Sequence, residues 1–414
     1  MQISHRAASF QESVIREMTR LHAIHGGVNL AQGFPDFDPP QEIIEAACRA
    51  LREGHNQYAI TWGTPRLREA VARHATEFNR IPTNPQENVT VCCGATEAMI
   101  ATLFAVCNPG DEVIVFTPFY ENYGPDAILS GAKPVYVRLY PPKQGSGVGV
   151  QGSEETTSTH PSPLTTHQPW RFDPAELAAA FSERTRAIIV NTPHNPTGKV
   201  FTRAELETIA GLCRKHDCLA ITDEIYEHIL YDGREHLSIA TLEGMRERTV
   251  TISGASKTFS VTGWRLGWAI APREISTGIR RVHDFLTVGA PHPLQEAAAA
   301  ALDMPASYYH DLAARYSLRR ERIGAMAAAA GMRPFTPEGA YYTLADISAF
   351  GYPDDVSFTM HLLREIGVAV VPGSSFYPAG WKDGRQMIRF AFPKRDETLD
   401  EAERRLAGLR GREP

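Results

Sequence analysis

Of the 42 lysines and arginines in this 414-residue chain, only seven are lysines, at positions 133, 143, 199, 215, 257, 382 and 394. The scarcity matters because a desolvated lysine can lose its proton, form imines and act as a base, whereas arginine stays charged. Lys257 stands in Ser253-Gly-Ala-Ser256-Lys257-Thr, between an expected strand at 249–253 and an apolar stretch around 261–270. On its own, a loop lysine is most often a solvated surface group. Two other motifs share its kind of position, just past an expected strand: Asn191-Thr-Pro-His-Asn195-Pro-Thr-Gly198 after 187–190, and Thr222-Asp223-Glu-Ile-Tyr226 after 219–222. Ligands gather at such strand ends in open α/β sheets. A buried carboxylate at Asp223 could hold a protonated ring nitrogen, although an isolated Asp at a strand end more often caps a helix.

The elements that must position these residues alternate along the chain. Strands are expected at 88–92, 112–116, 134–139, 187–190, 219–222 and 249–253, with helices at 96–107 and 202–216, which argues for an α/β domain with a largely parallel sheet. After about residue 300 the pattern changes to a long helix at 307–330 and strands near 341–346, 368–371 and 387–392. The reading is therefore a large domain at 40–295 and a smaller α+β domain made of 1–39 and 296–414. The segment 143–168, rich in Gly, Ser, Thr and Pro, reads as a surface insertion in the large domain.

Composition narrows the function. A formal charge of −6 gives no reason to expect nucleic acid or an anionic membrane as partner, and no apolar run is long enough to span a bilayer. The N-terminus lacks the order of a signal peptide, so a cytoplasmic protein acting on small molecules is expected. Cys92 and Cys93 are adjacent, Cys213 and Cys218 are not in C-x-x-C spacing, and no His joins the cysteines at zinc-finger spacing. Six reduced thiols and no metal are the expectation.

With these motifs go Asn29-Leu-Ala-Gln-Gly33-Phe-Pro-Asp-Phe37, Asn56-Gln-Tyr58, Gly94-Ala95-Thr96, Gly263-Trp-Arg265 and Ile388-Arg389-Phe. Each is weak alone, but eight in one order are not coincidence. From about Val28 to Arg395 the chain resembles the class I and II aminotransferases of pyridoxal-phosphate fold type I, above all the kynurenine/glutamine and methionine transaminase subgroup. The resemblance implies an α/β large domain with a mostly parallel central sheet flanked by helices, a smaller α+β domain, and pyridoxal 5'-phosphate as cofactor. It implies that Lys257 carries the cofactor as a Schiff base and shuttles the proton, and that Asp223 holds the pyridine nitrogen. Gly94, Ala95 and Thr96 would hold the phosphate at a helix N-terminus, with Ser256 and the cationic Arg265. Tyr120 would stack on the ring, and Asn195 and Tyr226 would bond its phenolic oxygen. The Asn195-Pro196 bond is a candidate cis peptide. Arg389 would grip the substrate carboxylate, with Gly33, Phe34, Asn195 and Tyr341 around the substrate. Tyr58 would reach the phosphate of a neighbouring subunit, which implies a homodimer.

Two departures bear on what the resemblance can carry. Many relatives have a serine three residues before the lysine; Gly254 stands here, between Ser253 and Ser256, leaving open which serine meets the phosphate. The stretch Leu286-Thr-Val288-Gly289-Ala-Pro lacks the bulky groups of related pockets and has no basic residue to pair with a side-chain carboxylate. The expected reaction moves the α-amino group of a neutral, aromatic or sulfur-containing amino acid, such as Met, Gln, Phe or kynurenine, to a 2-oxo acid in a ping-pong cycle. An aspartate-type aminotransferase and a cysteine-conjugate β-lyase are the alternatives. A cofactor-sensing regulator would need a DNA-binding domain, for which the first 28 residues are too short.

Overall fold

A computed structural model describes residues 3–8, 10, 12–142 and 169–409; the expected insertion at 143–168 lies outside them. In chain order its strands are β1 (Val28–Asn29), β2 (Val89–Cys92), β3 (Glu112–Thr117), β4 (Lys133–Tyr140), β5 (Arg171–Phe172), β6 (Thr185–Asn191) and β7 (Leu219–Asp223). They continue as β8 (Thr249–Gly254), β9 (Gly267–Ile270), β10 (Arg333–Pro334), β11 (Tyr342–Asp346), β12 (Val368–Ala369), β13 (Val371–Pro372) and β14 (Met387–Ala391).

Eight of them form one sheet in the order β2-β9-β8-β7-β6-β3-β4-β5. The run β8-β7-β6-β3-β4 is parallel, while β9 and β5 run against their neighbours. Strands β3, β7 and β8 are buried at every residue, as expected where helices cover both faces of a parallel sheet. The order of the sheet places the C-terminal ends of β6, β7 and β8 side by side. Register sets Asn191 opposite Asp223, and Asp223 opposite Ile252, three residues before the start of the short helix Ala255–Thr258.

The helix Ala95–Val106 begins one residue earlier than the expected 96, because Gly94 caps it with φ 88°, a conformation that glycine adopts without strain. It packs on β9 and on the helix Arg273–Thr287. The helix Arg203–Lys215 is started by a capping box in which Thr202 and Glu205 satisfy each other's backbone N–H groups.

A second, antiparallel sheet has the order β10-β11-β14-β13 and packs against the long helix Ala306–Ala329. The single strand expected at 368–371 is in fact two short ones that serve different sheets: β12 pairs in parallel with β1, and β13 pairs with β14. That switch fastens the N-terminal segment to the C-terminal half. The Leu30 N–H donates to the Ala369 carbonyl and the Ala391 N–H donates to the Leu30 carbonyl, so residues 29–37 run beside β14 and Arg389.

Candidate active site

The strand ends, the helix N-terminus at Gly94 and the segment after β1 surround a cavity of about 510 Å³. Of the residues expected at the site, Gly33, Phe34, Ala95, Thr96, Tyr120, Asn195, Asp223, Tyr226, Ser256, Lys257, Arg265 and Arg389 line it.

Lys257 rises from the helix Ala255–Thr258, and its Nζ donates to the Gly33 carbonyl at 3.1 Å. Burial lowers the pKa of this amine, and the cations Arg265 and Arg389 push the same way against Tyr342 and Asp223. The physical result is a lysine that gives up its proton more readily than a solvated one. Asp223 ends β7 as a buried carboxylate: Tyr123 donates to Oδ2 at 2.7 Å and the Ile225 N–H donates to Oδ1 at 3.2 Å. Burial raises its pKa, opposed by those two bonds and by Lys257. A cation placed against it would favour its ionised form.

Asn191 and Asn195 are linked. The Asn191 amide donates to the Asp223 backbone carbonyl at 2.9 Å, and its Oδ1 accepts the Asn195 N–H at 2.7 Å. The Asn195-Pro196 peptide is cis, as are Thr192-Pro193 and Thr117-Pro118. Asn195 in turn accepts from Arg389 Nη1 at 2.9 Å, while Nη2 donates to the Ala31 carbonyl at 2.8 Å. Arg389 is 1 % exposed, lies between the rings of Tyr342 and Phe376, and keeps Nε without a hydrogen-bond partner among the described residues. A guanidinium held on two sides with a donor to spare is prepared for an anion.

At the other end of the cavity, the first N–H groups of the helix Ala95–Val106 lack intrahelical acceptors. Arg265, in a left-handed conformation with φ 52°, spreads its guanidinium over Gly94, where an added Cβ would stand 2.5 Å from Nη2. Gly94 is thus required both for its φ and for this close approach. Ser256 faces the cavity, whereas the Ser253 hydroxyl donates to Glu227 at 2.7 Å and is occupied there. Of the two serines, it is Ser256 that borders the cavity.

Two expectations change in detail. Tyr342, not Tyr341, walls the cavity; the Tyr341 hydroxyl instead donates to the Gly33 carbonyl at 2.7 Å, alongside Lys257. The rings of the two tyrosines stand 4.9 Å apart, and of the pair it is Tyr342 that borders the cavity. Gly33 makes room for a side chain of the protein itself, since a Cβ there would lie 2.0 Å from the Tyr342 hydroxyl. Tyr58 is 87 % exposed and does not line this chain's cavity.

The sequence reading missed Tyr123, Asn191 and Tyr342. Asn191 opens a quoted motif, Tyr123 stands three residues after Tyr120, and Tyr342 is next to Tyr341. The donor set as a whole fits pyridoxal 5'-phosphate. A glycine cradle with helix N–H groups, a hydroxyl and a guanidinium suits a phosphate, and a buried carboxylate at the other end suits a protonated ring nitrogen, with an imine-forming lysine between them.

Comparison with known proteins agrees. The family described as aminotransferase class I and II matches residues 25–406. Kynurenine--oxoglutarate transaminase 3 of Mus musculus is 37% identical over 416 residues, covering 96% of this chain and 88% of the relative. The structure of N-succinyldiaminopimelate aminotransferase from Mycobacterium tuberculosis is similar with a TM-score of 0.90 at 37% identity, over 99% of this chain and 100% of that one. That of YbdL from Escherichia coli, described as having a methionine aminotransferase function, is similar with a TM-score of 0.88 at 33% identity, over 99% and 100%. This chain belongs to the class I and II aminotransferases, and it is an enzyme that transfers amino groups with pyridoxal 5'-phosphate as its cofactor.

Proposed function

We propose that the enzyme takes the α-amino group of a neutral, aromatic or sulfur-containing amino acid, of the kind represented by Met, Gln, Phe and kynurenine, and passes it to a 2-oxo acid. The observation that carries this reading is the convergence of Lys257, Asp223 and a pre-positioned Arg389 on one cavity whose wall also holds Ile15, Phe34, Tyr120 and Tyr342, beside the polar Arg16, Gln32 and Glu121. The relatives named for kynurenine and methionine point the same way.

When bound, the cofactor supplies an electrophilic carbon and a ring that takes up the electron pair left by the broken Cα–H bond. Ala95, Thr96, Ser256 and Arg265 hold its phosphate, Tyr120 stacks on its ring, and Asn195 and Tyr226 meet its phenolic oxygen. Asp223 keeps the ring nitrogen protonated, and Tyr123 and Asn191 keep Asp223 in place. Arg389 binds the substrate α-carboxylate through its planar fork, whose orientation Asn195 and Ala31 fix in advance. Lys257 Nζ takes the proton from Cα, a task for which burial has lowered its basicity toward the working range.

The residues 40–295 serve as the cofactor-binding domain and the flanking segments as the smaller one in this reading. The active unit is a homodimer in which Tyr58 completes the neighbouring site. Exposed apolar side chains at Tyr58, Ile60, Phe285, Leu286 and Val288 support a covered surface there, and Gly289 stands close to Thr61 between the two stretches.

Among the described cavity residues, Arg16 is the cation left over once Lys257, Arg265 and Arg389 have their roles. It is exposed at the N-terminal helix, whose Ser13 bonds Glu121. An exposed cation beside an acid is a weak anchor for the distal carboxylate of a dicarboxylic oxo acid. A panel of donors and acceptors tests the substrate reading. Neutral and aromatic donors should exceed aspartate in kcat/KM, and Arg16→Gln should raise KM for 2-oxoglutarate up to about fivefold, the worth of one exposed ion pair, while sparing monocarboxylic acceptors. Aspartate as the best donor would overturn it.

A further inference from the structure

Beside the strand end that carries Asp223, a second group of side chains has a geometry that the aminotransferase reaction does not use. His74, on the helix Pro65–Glu77, and His228, in the turn after β7, bring their Nε2 atoms to 3.2 Å. Phe78 stacks on His74 and stands 4.2 Å from the His228 ring, and Tyr309 stands 4.3 Å from the same ring, so both imidazoles are clamped. Glu227 places Oε1 3.7 Å from His74 Nε2, and its carboxylate is oriented by Ser253 at 2.7 Å and Asn79 at 2.6 Å. The three ligand atoms lie within 4.8 Å of one another. The Tyr309 hydroxyl is buried without a hydrogen-bond partner among the described residues.

A plain hydrogen bond between the two rings would use one proton and leave the carboxylate and the Tyr309 hydroxyl unengaged with them. A tetrahedral zinc ion uses all three ligand atoms. Zinc–ligand bonds of about 2.0–2.2 Å set neighbouring ligand atoms about 3.3 Å apart, which the 3.2 and 3.7 Å separations bracket. Ser253 and Asn79 supply the outer support that metal-binding carboxylates need.

We infer that His74, Glu227 and His228 form a binding site for a divalent transition-metal ion, zinc by its ligand chemistry, with water as fourth ligand next to the Tyr309 hydroxyl. Two imidazoles and a carboxylate suit zinc and exclude the all-oxygen preference of calcium and magnesium. Glu227 and His228 are adjacent, but His74 lies 154 residues away, which is why no short spacing motif announces the set. Bound metal would tie the helix Pro65–Glu77 to the turn that follows Asp223 and Tyr226.

The test is cobalt(II) titration of chelator-treated holoenzyme, followed by its visible ligand-field bands, with zinc competition and thermal unfolding alongside. One cobalt per chain with tetrahedral-type bands, displaced by zinc, and a zinc-dependent rise in unfolding temperature are expected. His74→Gln and His228→Gln should each weaken binding at least tenfold. Absence of bands in the wild type overturns the site whatever the variants do. So does binding that both variants leave unchanged, which would place the ion on another group such as Cys92, Glu97 and His283.

Discussion

Lys257→Ala should abolish transamination, with kcat falling at least about a thousandfold, because the variant loses both the group that links cofactor to chain and the base at Cα. The loss should be chemical, not structural. Lys257 makes one hydrogen bond, to the Gly33 carbonyl, and that carbonyl retains the bond from Tyr341. Far-ultraviolet circular dichroism should therefore be unchanged. Borohydride treatment followed by peptide mapping gives an independent reading: in the wild type the cofactor becomes fixed to the peptide containing Lys257, and in the variant to none. Cofactor fixed elsewhere with normal turnover would show that another lysine does this work. Lys199, buried and bonded to Glu205 and the Trp170 carbonyl, and Lys394, bonded to the Gln32 and Phe34 carbonyls, are engaged in structure.

Asp223→Asn should cost about a thousandfold in kcat while leaving the fold intact. Asparagine keeps the volume; its one oxygen can still accept the Ile225 N–H, and its amide can donate to the Tyr123 hydroxyl, which accepts as well as donates. What disappears is the negative charge. In a site where burial already raises the Asp223 pKa, only a cationic partner justifies an ionised group, and an amide cannot keep a ring nitrogen protonated. The measurement is steady-state kinetics with cofactor occupancy determined on the same sample. A fully active, fully loaded Asn variant would mean that another residue holds the ring nitrogen.

These two residues also show why the site was legible in the sequence. Asp223 and Lys257 each follow a short apolar run with strand character, and strand ends in a parallel sheet converge whatever the details of the sheet. The alternation of elements likewise identified the parallel core, whose strands β3, β7 and β8 are buried at every residue. Arg389 was legible only through the resemblance, since an Arg in a strand has no local mark of burial. What could not be read was tertiary. The division of 368–371 between two sheets depends on where β1 lies, and β1 comes from the far end of the chain. The choice of Tyr342 over Tyr341 depends on how two neighbouring rings seat around Gly33, and two adjacent tyrosines give no period from which to decide it. Ser253 and Ser256 could be separated only once Glu227 was seen to hold the former.

The central claim is that an amino group rests with the protein between two separate reactions at Lys257. It is tested most directly by mixing the holoenzyme with a single amino donor, methionine or phenylalanine, and no acceptor, and measuring 2-oxo acid and ammonia together. One equivalent of 2-oxo acid per chain should form and then stop, with no ammonia, until an added 2-oxo acid carries the amino group away. Continuous 2-oxo acid formation with matching ammonia in the absence of an acceptor would contradict the account and assign the site to a lyase.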